Sequence, residues 1–287
     1  MLNYIKMDFL KSVKSNMLIF ATIFFVLLNG LTIYEIKDQL KYSSENSSRT
    51  GSAGIMVSME DKEEDMKMNL GMHVDTADAV RNKGSLLSCV ETLYNGGFLV
   101  FIVTLVAIVL ICNDFSTGFI KNTITIPKHR WYANVSKIAN TFIIFLIENL
   151  IGILMFIITI KFTDFFGDAK IGNVENILIY IAVQAVLVMG ITSVMIFLAN
   201  LTRSKVITIL ISMFMIFGVF EVFLYVFAKG ALGANANVMM KYLIIHRSLS
   251  ITASDSMNVH LKTIGLGIVW LVIFMVLANI VISKKDV

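Results

Sequence analysis

Proline occurs once in these 287 residues, cysteine twice and histidine four times, and each scarcity removes a class of protein. Cys89 and Cys112 flank one apolar run. Along a helix they would lie roughly 34 Å apart, and a disulfide needs Cα atoms within about 7 Å, so no bond within the chain is expected. His73, His129, His246 and His260 show no ligand spacing, so no metal site is expected. Charged residues make up only 15% of the chain, against about 25% in an ordinary soluble domain. No glycine-rich loop ends in Gly-Lys-Ser/Thr, so the chain lacks the usual cradle for nucleotide phosphates. No soluble segment carries a Ser/His/Asp or Cys/His set either. The chain by itself is not expected to be an enzyme, and uphill movement of a cargo would draw on a partner or an ion gradient.

What the chain has in plenty is apolar sequence, at 57% of all residues. It falls in blocks of the length that crosses a bilayer, about 20 residues each. Six such runs stand out, over 17–34, 93–112, 138–160, 176–199, 206–228 and 263–282. Each should be helical, because hydrocarbon offers no partner to an unpaired backbone group. The expected fold is an all-α polytopic membrane protein with six transmembrane helices in one domain over 1–287. Met1–Asn16 is too polar for the core of a cleavable signal. Leu2, Ile5, Phe9 and Val13 recur there at helical spacing among Lys6, Lys11 and Lys14, which predicts an amphipathic helix lying on the inner leaflet.

The net charge of +4 is a topology signal rather than a nucleic-acid one. With both termini in the cytoplasm, the inner segments hold Lys6, Lys11, Lys14, Lys121, Lys128, Arg130, Lys137, Arg203, Lys205, Lys284 and Lys285, against Asp8, Asp114 and Asp286. The outer segments are net acidic. Residues 35–92 form an extracellular insertion containing Glu60-Asp61-Lys62-Glu63-Glu64-Asp65, expected to carry helical extensions of both neighbouring spans and a partly ordered acidic cap. A second outer segment, 229–262, begins with Gly230, Gly233 and Asn235. Its short apolar patch around Val238–Ile244 fits a re-entrant or interfacial helix.

The segment 113–137 carries the most specific pattern. It holds the only proline, and its basic residues place it in the cytoplasm. Pro127 is expected to end a helical turn there, making a short stiff knob at the membrane surface. Asp114, Gly118, Pro127, Arg130 and Lys137 stand at intervals that resemble the permease subunits of second-type ABC exporters, the ABCG-like or type V fold. That family usually has Glu where this chain has Asp114, and Thr where it has Phe119. The resemblance implies that 113–137 is the cytoplasmic coupling segment that touches a separate ATP-binding subunit. It implies two copies of that subunit, with ATP and magnesium bound there and no cofactor in this chain. It also implies a second permease copy, identical or not, and a multi-pass place in a bacterial plasma membrane. Small permeases of this kind with a Lys/Asn/Ile-rich composition often export peptides such as bacteriocins or other antimicrobial and cytolytic peptides.

Two carboxylates fall inside the apolar runs. Glu148, followed by Asn149, lies mid-run in the third, and Glu221 lies two-thirds along the fifth. A carboxylate at mid-bilayer costs about 2.5–3.5 kcal/mol, so these three residues should face protein or a water-filled cavity, as lining of a pathway or as bonds between helices. Asn140, Gln184, Thr192, Ser193 and Asn200 are expected to join helices more weakly, at about 0.6 kcal/mol each. Two other readings stay open: an ion-coupled secondary transporter with Glu148 as its proton site, and a non-transporting scaffold or sensor.

Overall fold

The computed structural model describes residues 2–14, 16–45, 56–57, 68–69, 85–95, 97–118, 127–162, 174–233 and 236–284. These are almost entirely helical. In chain order the helices are α1 (Leu2–Lys14), α2 (Met17–Glu45), α3 (Leu86–Asn95), α4 (Phe98–Ser116), α5 (Pro127–Phe162), α6 (Val174–Thr202), α7 (Lys205–Ile216), α8 (Val219–Leu232), α9 (Ala236–Met240), α10 (Ile244–Ser250) and α11 (Met257–Lys284). The exception is a two-residue antiparallel pairing of β1 (Met56–Val57) with β2 (Met68–Asn69).

Among the described residues, five segments are long and apolar enough to cross a membrane: Met17–Tyr34, Phe98–Ser116, Trp131–Lys161, Val174–Thr202 and Met257–Lys284. The protein is an all-α polytopic membrane protein. Its outer surface agrees with that solvent, for Phe20 on α2 and Phe227 on α8 are 71% and 77% exposed. Water would penalise such a surface, whereas hydrocarbon does not. α4 and α6 form the centre, each 67% buried, while α2, α5 and α11 turn more of their surface outward.

α6 and α11 run parallel and in constant register. Gly190 meets Gly267, the Ser193 hydroxyl faces the Trp270 carbonyl at 3.5 Å, and Phe197 packs edge-on against Phe274. The glycines permit the approach: a Cβ on Gly267 would stand 2.9 Å from Val186 Cγ1 and 3.3 Å from the Val186 backbone. Because the two helices point the same way, the chain between them returns from one end of the bundle to the other through α7–α10.

Two of the six apolar runs are broken. The run over 93–112 splits into α3 and α4 at Gly97, and that over 206–228 splits into α7 and α8 at Gly218, with a bend of 62°. Both glycines have positive φ, 70° and 77°, a conformation that side chains with a Cβ resist. The breaks lie together, since a Cβ on Gly97 would stand 3.1 Å from Ile216 Cγ2 and Phe217 packs on Phe98 and Phe101. The first break carries a turn signal in Asn95-Gly96-Gly97, whereas the second rests on the lone Gly218 in an otherwise apolar run, which a helix tolerates.

The other differences are at helix ends. Pro127 opens α5 instead of ending a turn, because the first helical turn has no use for the N–H that proline lacks. α2 continues beyond its apolar part to Glu45, which is the helical extension expected of the first span and not a difference. The acidic run Glu60–Asp65 of the 35–92 insertion lies outside the described residues. In 229–262 the chain forms two short helices, α9 and α10.

Candidate functional site

The densest polar arrangement sits where α1 meets the end of α4 and the first turns of α5. The Lys137 ammonium on α5 lies 2.6 Å from Asp8 Oδ1 of α1 and 2.6 Å from Asp114 Oδ2 of α4. Lys11 donates to Asp114 Oδ1 at 2.7 Å and stands 4.0 Å from Asp8. The Ser136 hydroxyl donates to Asp8 Oδ2 at 2.5 Å. Asn140 Nδ2 then donates to Ser12 Oγ, and Ser12 to the Asp8 carbonyl, both at 3.0 Å. Asp8, Asp114 and Lys137 are 0%, 4% and 3% exposed. Two lysines and two aspartates cancel in formal charge, and that balance with good geometry is what makes burial of ions tolerable.

This arrangement explains the orientation of α1. The polar side of Asp8 and Ser12 is buried against the bundle, while of the apolar stripe Ile5 and Phe9 are half-buried and Val13, like Leu10 near it, is exposed. The ion pairs outweigh the apolar preference, because Leu10 and Val13 lose nothing by facing lipid. Asp8 is the residue that sequence reasoning passed over, having entered only as a charge against the neighbouring lysines. Its signal was present, as an acid four residues before Ser12 on one helix face.

Of the five motif positions, the structure brings Asp114 and Lys137 directly together. They close the two feet of the segment linking α4 and α5, pointing into the protein. Gly118, just past the end of α4, has φ 69° and open space where a Cβ would go. Pro127 and Arg130 lie in the first turn of α5. Residues 119–126, including Lys121, are outside the described residues.

The in-span polar residues fall into separate places. Glu148 is fully buried, and its Oε1 accepts from the Thr22 hydroxyl of α2 at 2.8 Å, while Oε2 has no hydrogen-bond partner. Neither Asn149 nor Asn140 bonds to it. Asn149 instead accepts from the Tyr94 hydroxyl of α3 and donates to the Phe145 carbonyl at 2.8 Å. Tyr94 packs edge-on against Tyr180 of α6, whose hydroxyl accepts from Gln184. Gln184 also donates to the Ser248 carbonyl of α10 and accepts from its hydroxyl. Glu221 of α8 pairs with His246 of α10.

Asn134, Asn200 and Asn279 make a further join between α5, α6 and α11, with amide contacts of 3.2 and 3.0 Å. Thr192 bonds within its own helix, and Ser193 does so as well as facing Trp270. Among the described residues, no group of three His, Cys, Asp or Glu side chains comes together in a way that would hold a metal ion.

Comparison with curated proteins returns no match. A family model described as a protein of unknown function, DUF2705, matches residues 65–287. The match takes in α3–α11, with Asp114 and Lys137, and leaves out α1 and α2. The chain belongs to the DUF2705 family.

Proposed function

We propose that this chain is the membrane subunit of an ATP-driven exporter, resembling the second-type ABC permeases. The carrying observation is the clamp at the feet of the α4–α5 segment. Asp114 and Lys137 pair with each other, and Asp8 ties them to α1. A push on that segment from a partner would pass directly into three helices, which a loosely tethered loop would not allow. Asp114 and Lys137 then act as the rigid base, and Arg130 is the residue offered to the ATP-binding subunit. In this reading the α7–α8 pair supplies the sixth crossing, and both termini are cytoplasmic. Two copies of the chain with two ATP-binding subunits make the transporter, in a bacterial plasma membrane. The cargo is a peptide, antimicrobial or cytolytic, or another amphipathic compound.

The test is purification of the tagged chain from its native membrane, with partners identified by mass. An ATPase subunit should co-purify, and transport should vanish without it.

A specific feature favours a second reading. The unpartnered Glu148 Oε2 is buried in a span, where an ion-coupled transporter would place its proton site. Vesicles containing this chain alone that accumulate cargo on a proton gradient would replace the first reading with the second.

A further inference from the structure

A groove of about 880 Å³ runs between α1 and the end of α4. Its α1 wall carries Lys6, Lys11 and Lys14, and Asn113 of α4 and Thr117 just after it line the other side. Its apolar lining is Met7 and Leu10 of α1 and Leu110 of α4. Lys11 is engaged by Asp114. Lys6 and Lys14 are exposed and make no ion pair among the described residues.

We infer that this groove binds the phosphate headgroup of an anionic phospholipid. Charge gives the sign of the ligand: Lys11 and Lys137 are balanced by Asp8 and Asp114, which leaves Lys6 and Lys14 as the net positive charge of the groove. Depth gives its kind. Leu110 belongs to the apolar span Phe98–Ser116, whereas Asn113 and Thr117 stand at its end. The groove therefore passes from hydrocarbon to the polar boundary within about two helical turns. An acyl chain would lie along Met7 and Leu10 over the buried Leu110 at the groove floor, with Lys6 and Lys14 as the cations within reach of the phosphate. An acidic segment of a soluble protein would match the lysines but would gain nothing from a wall buried at the depth of Leu110. Lysines beside a spanning helix attract anionic lipid by about fivefold each. The inference needs only that α4 spans a membrane, and does not depend on transport.

The experiment uses the full chain in detergent, titrated with phosphatidylglycerol or phosphatidylcholine and read by native mass spectrometry. The wild type should retain phosphatidylglycerol at least tenfold better than phosphatidylcholine. K6Q/K14Q should lose roughly 30-fold in that retention, and K6R/K14R, which keeps the charge, should hold it. Thermal melting of each variant checks that the fold is intact. Equal retention of the two lipids, or unchanged retention by a folded K6Q/K14Q, would overturn the site. So would displacement of the lipid by millimolar inorganic phosphate, which would mark a free-anion site, or by a poly-glutamate peptide, which would mark a protein-docking face.

Discussion

The Lys137 ammonium and the Asp8 carboxylate, 129 residues apart in the chain, stand 2.6 Å apart where neither meets solvent. Removing the cation leaves Asp8 and Asp114 buried against each other with only the partly exposed Lys11 nearby. Lys137→Met should therefore destabilise the purified protein by about 3–5 kcal/mol, the range for breaking a buried pair. Asp8→Asn in the same background should recover part of the loss, because it removes one of the stranded charges. Thermal unfolding of both variants in detergent measures this, and an unchanged melting point for Lys137→Met would count against a stabilising cluster.

The α6–α11 contact gives a packing test with a built-in control. Gly267→Ala places a methyl 2.9 Å from Val186 Cγ1 and against the Val186 backbone, whereas Gly265→Ala meets nothing within 4 Å. Overpacking of this sort costs about 1–3 kcal/mol. Gly267→Ala should lower the melting temperature and Gly265→Ala should not; equal behaviour would contradict the close approach.

Arg130→Ala separates coupling from folding. Arg130 lies in the first turn of α5, outside the Trp131–Lys161 span. Membrane insertion should be normal, and transport or stimulated ATP hydrolysis should fall, since a guanidinium can form a forked pair with a carboxylate of a partner. Transport at the wild-type level would remove Arg130 from the coupling role.

Glu148→Gln keeps the acceptor for Thr22 and removes the charge. Folded yield should match the wild type, while Glu148→Leu should lose about 0.6 kcal/mol with the interhelical bond. If the charge draws basic cargo, Glu148→Gln assembles normally and transports poorly. Transport by Glu148→Gln at the wild-type level would assign Glu148 to helix packing alone.

Burial pushes the Cys89 thiol of α3 up to about 12. Thiolate is the reactive form, so a raised value suppresses reaction at neutral pH. In a Cys112→Ser background, a water-soluble maleimide at pH 8 should label Cys89 only after denaturation. Rapid labelling of the native protein would show that α3 is not packed as described.

The membrane class was legible because it depends on composition alone: a chain this apolar has too little polar surface for water, and helices are how its runs satisfy their backbones. The motif intervals were legible too, since Asp114 and Lys137 are a matter of counting. What the pattern did not carry was direction. Asp114 and Lys137 were expected only as positions of the coupling segment, and the approach of α4 to α5 made them a buried pair.

Asp8 was harder still, because its partner lies 129 residues away and local spacing reports only neighbours on one helix. The breaks at Gly97 and Gly218 were only half legible, since Asn95-Gly96-Gly97 is a turn signal but hydropathy alone shows neither bend. Hydropathy measures affinity for lipid, which is the same on both sides of a bend, whereas a bend is decided by backbone dihedrals and by the helix packed against it. The sequence by itself determined the solvent, the helical class and the charge balance, since those sum over residues independently. Tertiary structure decided which ions meet, which way α1 faces and where the helices break, since each depends on residues brought together from distant parts of the chain.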